Sequence, residues 1–390
     1  MTQRTRSDPR RFAMLLVGFL LFMWSGAVHA DGDDFRYVAI GEPQASITLP
    51  VRHPETSIVL MGGGQDVDQA FRWMIRRAGI KPGTGGRFVV LRASGADGYN
   101  PYIYYSGPGN KTSEQAEPYW VGGAALGLSS VETLVVPSRA AADDPFVNAV
   151  VRRADAIFIA GGDQSRYIRF WKGTALERSL NALLNRNIPI GGTSAGLAIL
   201  GEYAFAALQG TIDSAAALSN PFDPRITLDP DPADPGKSFL VPEPMVGVLT
   251  DSHFVRRKRM GRLIAFLSRL GGGEGTGCLG KLSAAQKNLA GVRGIGVSEQ
   301  AALLIESTPD KHDYIARRVK NPWSDAEGAV YFVRPLAPPI ECEPGVPLSI
   351  DRVEIRKLAD SRTVFNLTDW SGVDAYTVSI DNGRFDMPPY

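Results

Sequence analysis

The chain has 390 residues, 44% of them hydrophobic and 21% charged, with 42 Lys and Arg against 41 Asp and Glu and a formal charge of +1. That composition is ordinary for a soluble globular protein with a large core. Near-neutrality gives no support for nucleic-acid binding, which usually shows a basic excess.

Residues 1–30 stand apart. Arg4, Arg6, Arg10 and Arg11 precede the apolar run from Phe12 to Trp24, and Ala27-Val28-His29-Ala30 offers a small-residue cleavage site. This reads as a secretory signal peptide whose apolar core is too short for a comfortable transmembrane helix, with an uncleaved anchor as the alternative. Its removal takes four Arg and one Asp and leaves a formal charge of −2. The mature chain is then expected in the periplasm or secreted, with no membrane attachment. In an oxidising compartment Cys278 and Cys342 are expected to form a disulfide. No Cys/His spacing resembles a zinc site, so no metal is expected.

Residues 31–56 read as a leader with some strand character. The first strong β-α signal is Ser57-Ile-Val-Leu-Met61, then Gly62-Gly63-Gly64 and a helical pattern from Val67 to Ala78. Those glycines miss the third position of G-x-G-x-x-G and have no acidic ribose partner, which argues against a nucleotide and leaves no cofactor expected. A turn that brings a loop close to the site is the better use for them. Strands follow at Arg87–Arg92, Val131–Val136 and Ala156–Ala160, with helical spacing over 143–154 and from Ser165 to about Asn185. Strands alternating with helices in this way predict an α/β fold with a mostly parallel sheet covered by helices on both faces. Ligands gather at the carboxyl ends of such strands. From Asn220 to Pro244 the chain is Pro- and Asp-rich, a long loop that suits a lid, a binding loop or a solvated insertion. Met245–Thr250 is another strand, Val255–Leu270 reads as a helix, and Gly294–Ile305 reads as a β-hairpin or strand pair. The remainder alternates in β fashion, giving extra edge strands or a small β appendage. The domain reading is a signal over 1–30, a leader over 31–56, an α/β domain over 57–305 and a β-rich extension over 306–390.

Ile188-Pro-Ile-Gly-Gly-Thr-Ser-Ala-Gly-Leu-Ala198 carries the chemistry. An apolar run leads into Gly192-Thr193-Ser194-Ala195-Gly196 and a helical pattern follows. This is the G-x-S-x-G arrangement, a serine on a sharp strand-to-helix turn, with the Ala195 N–H available to an oxyanion. The bland alternative is a glycine-rich turn with Ser194 as a helix cap. A serine hydroxyl needs a base, and the base needs an orienting acid. Export leaves three histidines, of which His253 ends a buried strand at what reads as the same sheet edge as Ser194. Asp251 and Glu299 are both candidates for the acid, and spacing does not separate them.

Gly161-Gly162-Asp163-Gln164, Gly192-Thr193-Ser194-Ala195-Gly196, Asp251-x-His253-Phe254 with Arg257, Arg259 and Arg262, and Gly294-Ile-Gly-x-x-Glu299 occur in this order. Together, over about residues 57 to 305, they resemble the cyanophycinase and dipeptidase E group, the S51 serine peptidases. The resemblance implies a sheet related to class I glutamine amidotransferases, a flavodoxin-like layout, and a Ser-His-Glu triad of Ser194, His253 and Glu299. It further implies oxyanion donors at Gly162 and Ala195, and substrate contacts at Gln164, Asp251, Arg257, Arg259 and Arg262. Cyanophycin-cleaving members hydrolyse multi-L-arginyl-poly-L-aspartate to β-Asp-Arg dipeptides, whose carboxylates suit arginines and whose guanidinium suits a carboxylate. The sequence departs from the family's usual Gln between the Asp and the His, having Ser252. The expected partner is a polypeptide, cyanophycin or an aspartyl peptide, with a homodimer as an option. Alternative readings are an S51 peptidase acting on short aspartyl or isoaspartyl peptides, and a non-catalytic binding protein on the same fold.

Overall fold

The computed structural model of the protein describes residues 28–32, 34–48, 55–106, 120–232, 236–271, 278, 291–310 and 312–390. Most of the signal reading (residues 1–27), His53 and most of the glycine-rich stretch around Cys278 lie outside them. The chain opens with β1 (Val28–Gly32) and β2 (Phe35–Gly41), followed by β3 (Ser57–Met61), α1 (Asp68–Arg77) and β4 (Arg87–Arg92). Next come α2 (Tyr99–Tyr104), α3 (Gly123–Leu126), β5 (Ser130–Val135), α4 (Arg139–Asp143), α5 (Pro145–Arg152) and β6 (Ala156–Ile159). Then α6 (Gln164–Trp171), α7 (Ala175–Leu184) and β7 (Ile190–Thr193) lead to the turn that carries Ser194.

These assignments follow from local chemistry. β3, β5, β6 and β7 are buried along their whole length, as strands covered on both faces must be. Asp144 accepts from the N–H groups of Phe146 and Val147 at the start of α5, where Pro145 occupies the first turn. Asp163 does the same for Ser165 at the start of α6. The single helix expected from Ser165 to Asn185 is two helices, because Gly173 has a φ of 78° and the chain bends there.

The second half contains β8 (Ala204–Phe205), α8 (Ser214–Ser219), β9 (Leu228–Asp229), β10 (Val248–Asp251), α9 (Met260–Gly271), β11 (Arg293–Val297) and β12 (Ala301–Ser307). It ends with β13 (Tyr314–Lys320), β14 (Val330–Pro335), β15 (Ile350–Leu358), β16 (Val364–Asn366), β17 (Ala375–Asp381) and β18 (Arg384–Phe385). Two large sheets result. The first has ten strands in the order β1-β2-β5-β4-β6-β7-β3-β12-β13-β16, with β5-β4-β6-β7-β3 parallel and both flanks antiparallel. The second has six, β10-β11-β14-β15-β17-β18, in which β10 and β11 are parallel and the rest antiparallel.

Both faces of the parallel centre are covered. Ile58 and Leu60 pack with residues of α5, α6 and α7, while Val59 and Met61 pack with Phe71 and Met74 of α1. The second sheet leans on the first face through Ile295, Val297 and Phe332, and the Phe332 ring stacks on Phe365 of the first sheet at 3.6 Å between centroids. Helices α8 and α9 cover its other face.

Three expectations are settled or changed here. Residues 31–56 supply β2, a full neighbour of β5 in the main sheet. Of the two readings of the β-rich tail, extra edge strands hold and a separate appendage does not, because β13 and β16 extend the first sheet while β14, β15, β17 and β18 build the second. The boundary between 305 and 306 falls inside β12. Finally, β11 and β12 are not a hairpin pair, since each joins a different sheet. Cys278 and Cys342 are disulfide-bonded, with their Cα atoms 5.2 Å apart. The Asn220–Pro244 stretch holds β9, paired to β8, and Asp229 of that strand meets Lys172.

Candidate active site

Ser194 follows β7 immediately and adopts a φ of 53°, in the left-handed region that a side chain occupies only under constraint. The turn doubles back so sharply that a Cβ on Gly196 would sit 2.0 Å from the Ile159 carbonyl oxygen. Only a glycine fits there. Beyond it the chain forms a single 3-10 turn, Leu197–Ile199, in place of the expected helix. The amides of Gly162 and Ala195 have no backbone acceptor among the described residues.

His253 comes from the other sheet. It lies two residues beyond β10, again with a positive φ, 48°. Its N–H donates to the Gly62 carbonyl at 2.7 Å, and the Thr250 hydroxyl donates to the Leu197 carbonyl at 2.8 Å. These bonds tie the end of β10 both to the loop after β3 and to the turn after the serine. Glu299 sits on the β11–β12 turn, where the chain passes from the second sheet to the first, and Gln300 N–H donates to the Gly63 carbonyl at 2.9 Å. The result is a continuous line of polar groups. Ser194 Oγ is 2.8 Å from His253 Nε2, and His253 Nδ1 is hydrogen-bonded to Glu299 Oε1. The other carboxylate oxygen accepts from Arg256 Nη1 at 2.7 Å.

The ring of His253 lies against Gly63, where a Cβ would come within 2.5 Å of Cε1. The Gly62–Gly64 loop is thus the floor under the imidazole. Burial lowers the pKa of His253 below its ordinary value of 6.5, against the opposing pull of Glu299. Burial works to raise the Glu299 carboxyl, but hydrogen bonds from Arg256 and His253 outweigh it and hold it below 4.5. A neutral imidazole between a hydroxyl and an ionised carboxylate can take a proton from the serine and hold the resulting charge.

Comparison with known proteins bears on this geometry. Residues 124–218, which include Ser194, match Peptidase family S51. A cyanophycinase from Geminocystis herdmanii is 31% identical over 144 residues, covering 37% of this chain and 47% of that relative.

A cyanophycinase from Synechococcus elongatus is 33% identical over 144 residues, covering 37% of this chain and 39% of the relative. The match thus spans less than half the length of these curated relatives. Among solved structures, a peptidase from an acI-B1 Actinobacterium is similar at 15% identity, with a TM-score of 0.41 over 83% of this chain and 96% of that one.

The residues expected to bind substrate divide into two groups. Asp251 is gripped by Arg262, Nε to Oδ2 at 2.7 Å and Nη2 to Oδ1 at 2.6 Å, with Arg259 Nη1 at 3.2 Å. Burial works to raise the Asp251 carboxyl, yet the charges of Arg262 and Arg259 hold it below its ordinary range. Arg262 is 2% exposed, packs on the rings of Phe205 and Phe266, and also donates to the Ile212 carbonyl. Arg259 donates to the carbonyl and the hydroxyl of Ser252. Asp251, Arg259 and Arg262, expected as substrate contacts, are thus buried and bonded to one another. They form a buried brace behind the strand end that carries His253, and Ser252 points into that brace. Arg257 is exposed and Gln164 half-buried, with Gln164 Nε2 3.4 Å from the Phe205 carbonyl.

Sequence reasoning passed over Arg256. It differs in nothing from the other bases of Arg256-Arg257-Lys258-Arg259, and only the fold shows which of them meets Glu299. Asp66 was also missed. It accepts from the Tyr99 hydroxyl at 2.5 Å, and burial pushes its carboxyl up to about 6.

Proposed function

We propose that the protein is an exported serine peptidase that hydrolyses cyanophycin, or a related aspartyl-rich peptide, through an acyl-enzyme on Ser194. The observation that carries this is the unbroken hydrogen-bonded line from the Ser194 hydroxyl through His253 to Glu299. The relatives' name supports the choice of substrate, and the paired cysteines and the character of residues 1–30 support export.

In this reading Ser194 Oγ attacks the scissile carbonyl while its proton passes to His253 Nε2. Glu299 keeps Nδ1 protonated and stabilises the imidazolium. The oxyanion accepts from the Ala195 and Gly162 amides. His253 then returns the proton to the leaving amine, and water, deprotonated by the same imidazole, cleaves the ester. Arg257 and Gln164 remain as the substrate contacts, with Arg257 suited to a free aspartyl carboxylate.

The test is degradation of purified cyanophycin by the mature chain, with products identified by mass. Ser194→Ala should abolish release of β-Asp-Arg while leaving the fold intact, and normal release by that variant would end the proposal. Activity confined to Asp-Xaa or β-Asp-Xaa dipeptides would favour the short-peptide reading. Failure of a fluorophosphonate to label Ser194 would favour a binding protein.

A further inference from the structure

Glu299 is 11% exposed and both of its carboxylate oxygens are taken, one by His253 and one by Arg256. Arg256 does not come from the turn that carries Glu299. It lies three residues after His253, on a turn bonded back to the histidine by Arg257 N–H to the His253 carbonyl at 3.0 Å and Arg259 N–H to the Phe254 carbonyl at 2.9 Å. The turn that delivers the imidazole therefore also delivers a guanidinium to the far side of the same carboxylate. The three side chains close a clasp between the end of β10 and the β11–β12 turn.

We propose that Arg256 is a positioning residue that fixes the Glu299 carboxylate against His253 and moderates the charge the imidazole feels. The inference rests on the reading of Ser194, His253 and Glu299 as a triad. The Arg256 side chain is 75% exposed, so the pair adds little to stability. Its effect is geometric and electrostatic. A planar guanidinium donating to Oε2 sets the plane of the carboxylate, and with it the direction of Oε1 toward Nδ1. Without that donor a glutamate at a turn can rotate and leave the imidazole with an unoriented partner.

The sign of the electrostatic effect follows from who faces whom. His253 meets Glu299 from the β11–β12 turn, Arg257 and Arg259 from its own segment, the Ser194 hydroxyl from the β7 turn and glycines from the β3 loop. Glu299 favours the imidazolium, while Arg257 and Arg259 oppose it. Arg256 neutralises part of the Glu299 charge. Removing it leaves the carboxylate uncompensated, so His253 should hold its proton to higher pH. The serine then loses its neutral base in a range where the wild type keeps it.

The test uses the mature chain and two readouts. Titration of the His253 ring by NMR, assigned by its disappearance in His253→Gln, should move upward in Arg256→Gln and stay near wild type in Arg256→Lys, which keeps the charge. On the acid side of that titration, fluorophosphonate labelling of Ser194 should slow by about three- to tenfold in Arg256→Gln and recover in Arg256→Lys. A His253 titration unmoved by Arg256→Gln overturns the proposal. So does a loss of turnover confined to KM, which would make Arg256 a substrate contact instead. The titration needs no turnover, whereas absence of labelling in the wild type would sink the triad reading by itself.

Discussion

Ser194 and His253 both hold positive φ values, 53° and 48°, and neither is glycine. Each such residue costs about 1–2 kcal/mol in isolation, so the surrounding bonds must impose the conformation. They do so by aiming a hydroxyl and an imidazole at one another from two different sheets. On this reading, replacing Glu299 with Gln should lower kcat by about 10³–10⁴-fold, because the amide can no longer fix the protonated Nδ1 or stabilise the imidazolium. Full activity of Glu299→Gln, or an equal loss in Asp251→Asn alone, would transfer the role to Asp251. Because burial depresses the pKa of His253, the free imidazole persists below pH 6.5. The acid limb of kcat/KM in the wild type should therefore lie below that value, with activity lost as pH falls through it. A limb above 6.5 would contradict the buried, neutral base. Ser194 was legible in the sequence because small residues on both sides of a serine mark the turn. The choice of acid was not, because Asp251 and Glu299 are equally acidic on paper and only burial shows that Asp251 is committed to Arg262.

The element that turns three side chains into a site is the Gly62–Gly64 loop after β3. It accepts from the His253 N–H, accepts from the Gln300 N–H and lies flat beneath the imidazole. Gly63 has a φ of 91°, and any Cβ there would strike the ring. Gly63→Ala should displace the imidazole and reduce kcat by about 100-fold, with a loss of stability of about 1–2 kcal/mol. Near-normal turnover in a folded Gly63→Ala chain would show that the loop is not the floor of the site. The glycines themselves could be read as a close approach, but not what approaches them. Other element-scale expectations failed for a physical reason too. Val255 to Arg259 has helical composition, yet α9 begins only at Met260, because the preceding residues are drawn into the turn that braces His253. The bases of that run consequently face different ways, Arg262 inward to Asp251 and Arg256 outward to Glu299.

At the scale of the whole molecule, the candidate site is a seam. The serine hangs from the ten-stranded sheet, the histidine from the six-stranded one, and the glutamate from the turn that crosses between them. Packing of Phe332 on Phe365 helps hold the seam shut. Export belongs at this scale as well. Removal of residues 1–30 would take Val28, His29 and Ala30 out of β1, an outer strand that among the described residues pairs with β2 alone, and leave the central sheet untouched. The mass of the chain recovered outside the cytoplasm should correspond to residues 31–390 with Cys278 and Cys342 oxidised. A full-length mass, or free thiols, would count against export. The alternating apolar strands and helices determined the covered parallel sheet, because continuous buried runs have no other stable use, and the glycine-flanked serine determined where a nucleophile would stand. Only the tertiary structure decided that β11 and β12 part company, that Arg256 meets Glu299 while Arg259 and Arg262 grip Asp251, and that β13 and β16 join the main sheet. Those outcomes depend on which partner each strand edge and each charge finds across the molecule, and local periodicity reads the same whichever partner that is.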